Sequence, residues 1–123
     1  MGWPQIHPWN ADARTFDIHK GAPPAGGEVL LRRVCALPLT FQKGFAGSRG
    51  SASVTSDADS TFSIRKNGVE IGTATFAAGA TVATFALAAD ARLEPGDVIT
   101  IVAPNAPDAH LSDFCLSLLH NLA

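Results

Sequence analysis

Asn67-Gly68 lies between two runs of alternating apolar and polar residues that together cover residues 61–76. Asn-Gly favours the type I′ turn, whose twist matches that of paired strands. A two-residue loop also sets the register of the strands it joins. Lys66 is then expected opposite Val69, Arg65 opposite Glu70, Ile64 opposite Ile71 and Phe62 opposite Thr73. Phe62, Ile64 and Ile71 share one face in this register, and Arg65 and Glu70 the other. An exposed ion pair contributes only about 0.2–1 kcal/mol, so burial of the apolar face decides the pairing. The hairpin predicts a ribbon with one side buried.

The same grammar runs along the rest of the chain. Residues 15–19 alternate, and Gly21-Ala22-Pro23-Pro24-Ala25-Gly26-Gly27 reads as a loop. Residues 28–36 read as an apolar strand broken by Arg32 and Arg33. It continues over 37–42 past Pro38, a residue that marks a bend or an edge. Small residues over 44–53 suggest a loop or a weak edge strand, and residues 56–60 a turn. Over 81–88, Ala83, Phe85 and Leu87 fall on one face and Val82, Thr84 and Ala86 on the other. Glu94-Pro95-Gly96-Asp97 has the residues of a β-turn. Residues 98–103 are apolar on both faces, as in a central or interface strand. In 110–120, Leu111, Cys115, Leu118 and Leu119 have helical spacing, but alternation groups Phe114, Leu116 and Leu118. A strand is expected there, because everything before it is β.

Short strands at this spacing, with no helix, predict an all-β fold. The expected architecture is a single antiparallel β-sandwich over 13–123, jelly-roll-like, with about eight strands. Alternation reports faces and not neighbours, so it leaves jelly-roll and immunoglobulin-like strand orders both open. The length of 123 residues matches one domain. Residues 1–12 are expected to form an extended N-terminal arm. Pro4 and Pro8 discourage regular structure there, and Trp3, Ile6 and Trp9 are too apolar to stay in water without a partner. A tail folded over its own domain and an arm reaching a neighbouring subunit both fit.

Charged residues make up 16% of the chain, against about 25% in an average soluble domain. So little charge suggests that part of the surface is covered, through self-association or an obligate assembly. The net charge of −2 lacks the basic footprint of a phosphate binder, so no nucleic-acid partner is expected. No apolar run approaches the roughly 18–20 residues that span a bilayer, and no membrane partner is expected. The N-terminus lacks the basic start and apolar stretch of a signal peptide, which implies a protein made in the cytoplasm. Cys35 and Cys115 sit in apolar segments without ligand spacing, and both are expected to be buried free thiols.

Chemistry is thinly supplied. Gly47-Ser48-Arg49-Gly50 falls one residue short of a nucleophile elbow and opens no helix. The four histidines, His7, His19, His110 and His120, show no metal-ligand pair spacing. On a single strand His110 and His120 share a face, but at roughly 3.3 Å per residue they lie too far apart for one ion. Asp57 and Asp59 lack the Gly and distal Glu of a calcium loop and read better as an Asx-turn leading into the hairpin. Glu28, Glu70 and Glu94 stand without paired carboxylates. No enzyme activity, metal or cofactor is expected.

Several strings in the chain share a pattern. Phe62-Ser63-Ile64-Arg65-Lys66-Asn67-Gly68, Ile71-Gly72-Thr73, Phe76-Ala77-Ala78-Gly79-Ala80 and Ala83-Thr84-Phe85 belong to it. It continues through Gly96-Asp97-Val98, Val102-Ala103-Pro104 and Pro107-Asp108-Ala109 to Leu111. Upstream, Gly27-Glu28-Val29-Leu30-Leu31-Arg32 and Phe45-Ala46-Gly47-Ser48 fit as well, so the pattern covers about residues 15–119. It resembles a β-sandwich module of tailed-bacteriophage virion structural proteins. The resemblance implies a virion component, made in the host bacterial cytoplasm, and it brings no catalytic residues. The arm lies outside the pattern. A sandwich with an apolar arm is similar to the small decoration or cement proteins of capsid shells, commonly trimers. That likeness implies a homotrimer that clamps the major capsid protein or another virion protein, with Trp3, Ile6 and Trp9 as anchors. The alternative is a tail- or head-fibre module that binds a host glycan through loops 21–27, 44–53, 56–60 and 104–109. Arg49, Asp57, Asp59, Asn105 and Asp108 are the candidate contacts in those loops.

Overall fold

The computed structural model describes residues 13–122; the expected arm, with Trp3, Ile6 and Trp9, lies outside them. Ten strands follow one another: β1 (Ala13–Lys20), β2 (Val29–Val34), β3 (Leu39–Phe41), β4 (Arg49–Val54) and β5 (Ser60–Lys66), then β6 (Val69–Phe76), β7 (Thr84–Leu87), β8 (Ala91–Leu93), β9 (Val98–Val102) and β10 (Ser112–Leu122). They form two antiparallel sheets, as the alternation predicts. One sheet has the order β1-β10-β3-β8, with β4 also on β10; the other runs β2-β9-β5-β6-β7. There are ten segments rather than about eight, partly because β3 and β4 share one edge of β10. β3 pairs with Asn121 and Leu122 and β4 with the stretch from Ser112 to Ser117, and a 3-10 turn at Lys43–Phe45 separates the two. The small-residue stretch 44–53 is therefore turn first and strand later. Pro38 marks the bend it suggested, since the chain leaves one sheet after β2 and enters the other at β3.

The hairpin turn forms as its sequence requires, with φ of 51° at Asn67 and 83° at Gly68. Lys66 faces Val69 and Arg65 faces Glu70, but the next two pairings differ from the expectation. A bulge puts Ile64 opposite Gly72 and Phe62 opposite Ala74, leaving Ile71 half-buried beside the core rather than within it. The cause lies outside the hairpin. A Cβ at position 72 would come within 2.6 Å of the Phe45 ring and 2.3 Å of the Ala86 carbonyl oxygen. Only glycine leaves room for both there, and the extra residue brings Gly72 to that point. Arg65 and Glu70 share a hydroxyl instead of pairing directly: Arg65 Nε donates to Ser63 Oγ at 3.0 Å, and Ser63 Oγ donates to Glu70 Oε1 at 2.7 Å.

The core lies between the sheets. β9 is a central strand, with Ile99 and Ile101 fully buried and Thr100 and Val102 nearly so. Along β10, Phe114, Leu116, Leu118 and His120 point inward. That alternation turns Cys115 outward, so Cys35 is a buried free thiol but Cys115 is an exposed one. The phenylalanines form two groups. Phe62, Phe76 and Phe114 meet with ring centroids 5.2–6.4 Å apart. Phe41 contacts Phe16 at 6.2 Å and Phe45 at 5.4 Å, and Phe45 reaches Phe85 at 6.3 Å. Edge-on and tilted contacts of this kind add to plain area burial.

Candidate functional site

The two ends of the sandwich carry different chemistry. One end gathers the connections β1–β2, β4–β5 and β9–β10, which contain three of the four loops expected to act together. Gly27 N donates to the Pro104 carbonyl at 3.1 Å, tying the first loop to the third. Asp108 ties the second loop to the third. Its Oδ2 accepts from the backbone N–H of Asp57 (2.9 Å) and Ala58 (3.0 Å), and its Oδ1 from those of His110 (2.8 Å) and Leu111 (3.2 Å). These four donors hold the Asp108 carboxyl below its ordinary pKa, the His110 N–H most of all. Asp59 Oδ1 accepts from Ala78 N at 2.9 Å, so it anchors the β6–β7 connection.

The side chains of Asp57 and His110 stand outside this clamp. His110 Nδ1 lies 2.6 Å from Asp57 Oδ2, with both side chains mostly exposed. Ligand atoms of Asp57, Asp108 and His110 lie within 4.8 Å of one another. The Asp108 oxygens are already filled by backbone donors, two apiece, so the arrangement is a loop clamp rather than a cation cradle. Asn105 is exposed on the same rim. Arg49 is not with them: it opens β4, where its Nη1 donates to the Ser48 carbonyl at 3.1 Å. His110 and His120 do not share a face. Asp113, at φ 47°, interrupts the alternation between them, leaving His110 exposed and His120 buried. His19 pairs with Asp113 across the β1–β10 edge at 2.9 Å.

The opposite end holds a pocket of about 180 Å³, lined by Phe16, Val34, Cys35, Leu37, Leu39 and His120 among others. It opens where the chain crosses from β2 to β3, beside the start of β1 and the end of β10. Its lining is mostly apolar. His120, one of the lining residues, has a buried Nδ1 with no hydrogen-bond partner among the described residues. The His120 ring stacks on Phe16 with centroids 4.3 Å apart and meets Phe41 edge-on at 5.8 Å. Burial is the main reason its pKa lies below the ordinary histidine value; the Leu118 backbone opposes the shift and the Arg14 charge adds to it. Val34 and Leu37 at the rim are 67% and 60% exposed. Sequence reasoning missed this site, although a signal was present. Inward positions 114, 116 and 118 of β10 are apolar, and the next one, 120, is a histidine.

A further surface feature is β2. It is an outer strand of its sheet, bonded to β9 alone, and it exposes Val29 (54%) and Val34 together with Arg32 and Arg33. No helix among the described residues is long and apolar enough to cross a membrane. No protein-family model and no curated protein matches the chain, so the roles of these residues rest on geometry.

Proposed function

We propose that this chain is a virion structural protein of a tailed bacteriophage. In this reading it is a small capsid decoration or cement protein that trimerises and clamps neighbouring capsid subunits. The observation that carries the reading is the open edge at β2. Long apolar edges invite pairing with another chain, and Val29, Val34 and Leu37 supply apolar contact there. Arg32 and Arg33 favour a partner surface with acidic groups opposite and discourage indiscriminate pairing. The strand orders β1-β10-β3-β8 and β2-β9-β5-β6-β7 are compatible with a jelly-roll-like sandwich, the architecture that the resemblance along residues 15–119 implies. A trimer offers three weak contacts at once, and their effective concentration supplies avidity without one strong site. Aromatic anchors on the arm add contact energy where they are desolvated.

The test has two steps. Light scattering on the purified chain at micromolar concentration is expected to give three times the monomer mass, and Val34→Glu to reduce it. Deletion of residues 1–10 is expected to leave the sandwich folded and abolish attachment to particles. A monomer at every concentration, with full particle occupancy after the deletion, refutes the reading. One observation favours a second reading: loops 21–27, 56–60 and 104–109 meet at a single end. A glycan-binding fibre module uses such a rim, and saturable binding to host polysaccharide distinguishes it.

A further inference from the structure

Asn67 is the only asparagine of the chain that precedes a glycine, and the hairpin tip it forms is fastened to a second turn. Asn67 N–H donates to the Val98 carbonyl at 2.8 Å. The Val98 N–H donates to Asn67 Oδ1 at 2.9 Å, and Asn67 Nδ2 donates to Asp97 Oδ1 at 3.0 Å. Asp97 Oδ2 accepts from the Glu94 N–H at 2.8 Å, and Lys66 Nζ stands 3.8 Å from the same oxygen. One amide and one carboxylate thereby join the β5–β6 turn to the β8–β9 turn. The bond from Asn67 is also the main reason the Asp97 carboxyl lies below its ordinary pKa.

The same amide has a nucleophile beside it in the chain. Gly68 carries no side chain to shield its nitrogen, and nothing lies within 4 Å of where a Cβ would stand there. When the Gly68 nitrogen gives its proton to hydroxide and attacks Asn67 Cγ, a C–N bond forms and the Cγ–Nδ2 bond breaks. Nδ2 leaves as ammonia. Water then adds to one of the two carbonyls of the cyclic imide, whose bond to the Gly68 nitrogen breaks and leaves a carboxylate. The sequence consumes one water and needs no oxidant or reductant. Asparagine is among the thermolabile residues.

The folded corner obstructs the first step. Oδ1 and Nδ2 are both held by the β8–β9 turn, so Cγ cannot swing onto the Gly68 nitrogen while those bonds last. The left-handed backbone at Asn67, with φ of 51°, is fixed by the paired strands on either side. Reaction therefore waits on local opening of the tip. Its product then keeps the corner from closing as before. A carboxylate at position 67 has no hydrogen to give Asp97 Oδ1, and it sets like charges together where the amide donated. Opening of the imide at its other carbonyl runs the backbone through Cβ. The added methylene does not fit a two-residue turn that fixes the register.

We propose that Asn67 is a modification site, where spontaneous deamidation is checked by the Asp97–Val98 corner and, once it occurs, releases the hairpin tip from β9. Val98 lies opposite Val34 on β2, so the loosened corner adjoins the open edge of the sandwich. The assignment goes beyond the virion reading and does not depend on it.

Peptide mass mapping of the full chain, aged in warm and mildly alkaline buffer, tests the proposal. Conversion is read as replacement of the amide NH2 by OH in the peptide that contains Asn67. In guanidinium chloride this asparagine should convert before the others, and in the folded protein several-fold more slowly than in the denaturant. Asp97→Ala removes the acceptor and should speed conversion several-fold, with circular dichroism unaltered. Asn67→Asp makes one product directly and suits the turn. It should lower the melting temperature by several degrees and raise amide exchange at Val98 several-fold. Asp97→Asn added to it returns a donor to the pair and should recover most of that loss. Equal rates in the folded and unfolded protein overturn the proposal, as does a folded Asp97→Ala protein that converts no faster. An Asn67→Asp protein as stable as the parent, with exchange at Val98 unchanged, overturns the release. Should Asp97→Ala fail to fold, the denaturant comparison and Asn67→Asp still decide the matter. None of these readings involves particle attachment, so the outcome is separate from that of the virion proposal.

Discussion

At one end of the sandwich Asp108 collects four backbone N–H groups from two loops. At the other end His120 keeps a buried nitrogen without a partner among the described residues and lines a pocket of about 180 Å³. Asp108 is fully bonded and His120 Nδ1 is not, yet the loop end also buries the hydroxyls of Ser56 and Ser60 without partners among the described residues. A buried polar group left unpaired costs about 1–3 kcal/mol. The two ends thus differ in how they are held, by a carboxylate clamp at the loops and by ring packing beside an open pocket at the other.

The contrast can be broken by substitution. Phe114→Ala removes a fully buried ring and should cost about 3–5 kcal/mol in denaturant unfolding. Phe16→Ala, in the half-buried ring at the pocket, should cost less than that range; equal losses would erase the distinction between the ends. Asp108→Asn should come next, lowering the melting temperature by several degrees at neutral pH, because one amide cannot accept from four donors.

Titration sharpens the comparison. Asp108 has a folded-state pKa below its ordinary value, so its contribution is full above the unfolded value of about 3.9. It is lost as pH falls through the lower folded value. His120 acts in a higher window. Its folded-state pKa is also depressed, but for a base this means that the neutral form is favoured. Stability should therefore decline as pH falls through the unfolded value of about 6.5 and level off once the folded imidazole protonates as well. Melting temperature against pH should show both windows. Asp108→Asn should weaken only the acid one and His120→Phe only the one near neutrality. Leu37→Arg should change stability least, within about 0.5 kcal/mol, because its side chain is already in water.

How far these features can be read from sequence depends on how local their causes are. The Asn67-Gly68 turn is chemistry of two adjacent residues, and it forms as expected. The bulge that follows is not legible, because it answers to Phe45, which approaches Gly72 from another part of the chain. Strand faces follow from alternation, as Ala83, Phe85 and Leu87 show on β7 and just before it. Strand neighbours do not, so nothing local places β10 between β1 and the pair β3 and β4. Asp57 and Asp108 stand out as loop acids, but their connection joins residues 51 apart. The pocket is harder still, since β1, the β2–β3 crossing and β10 build it together.

The position of β10 has a consequence for the order in which the protein can assemble. It is the last of the described strands, yet β1, β3 and β4 all bond to it. During synthesis those three strands emerge with their main partner still unmade, while the hairpin β5–β6 can already close on itself. The nascent chain must hold three unpaired edges until residues 112–122 leave the ribosome. Slow, non-local closure of this sort prolongs exposure to aggregation. Folding yield should therefore depend more on the prompt arrival of β10 than on any turn before it.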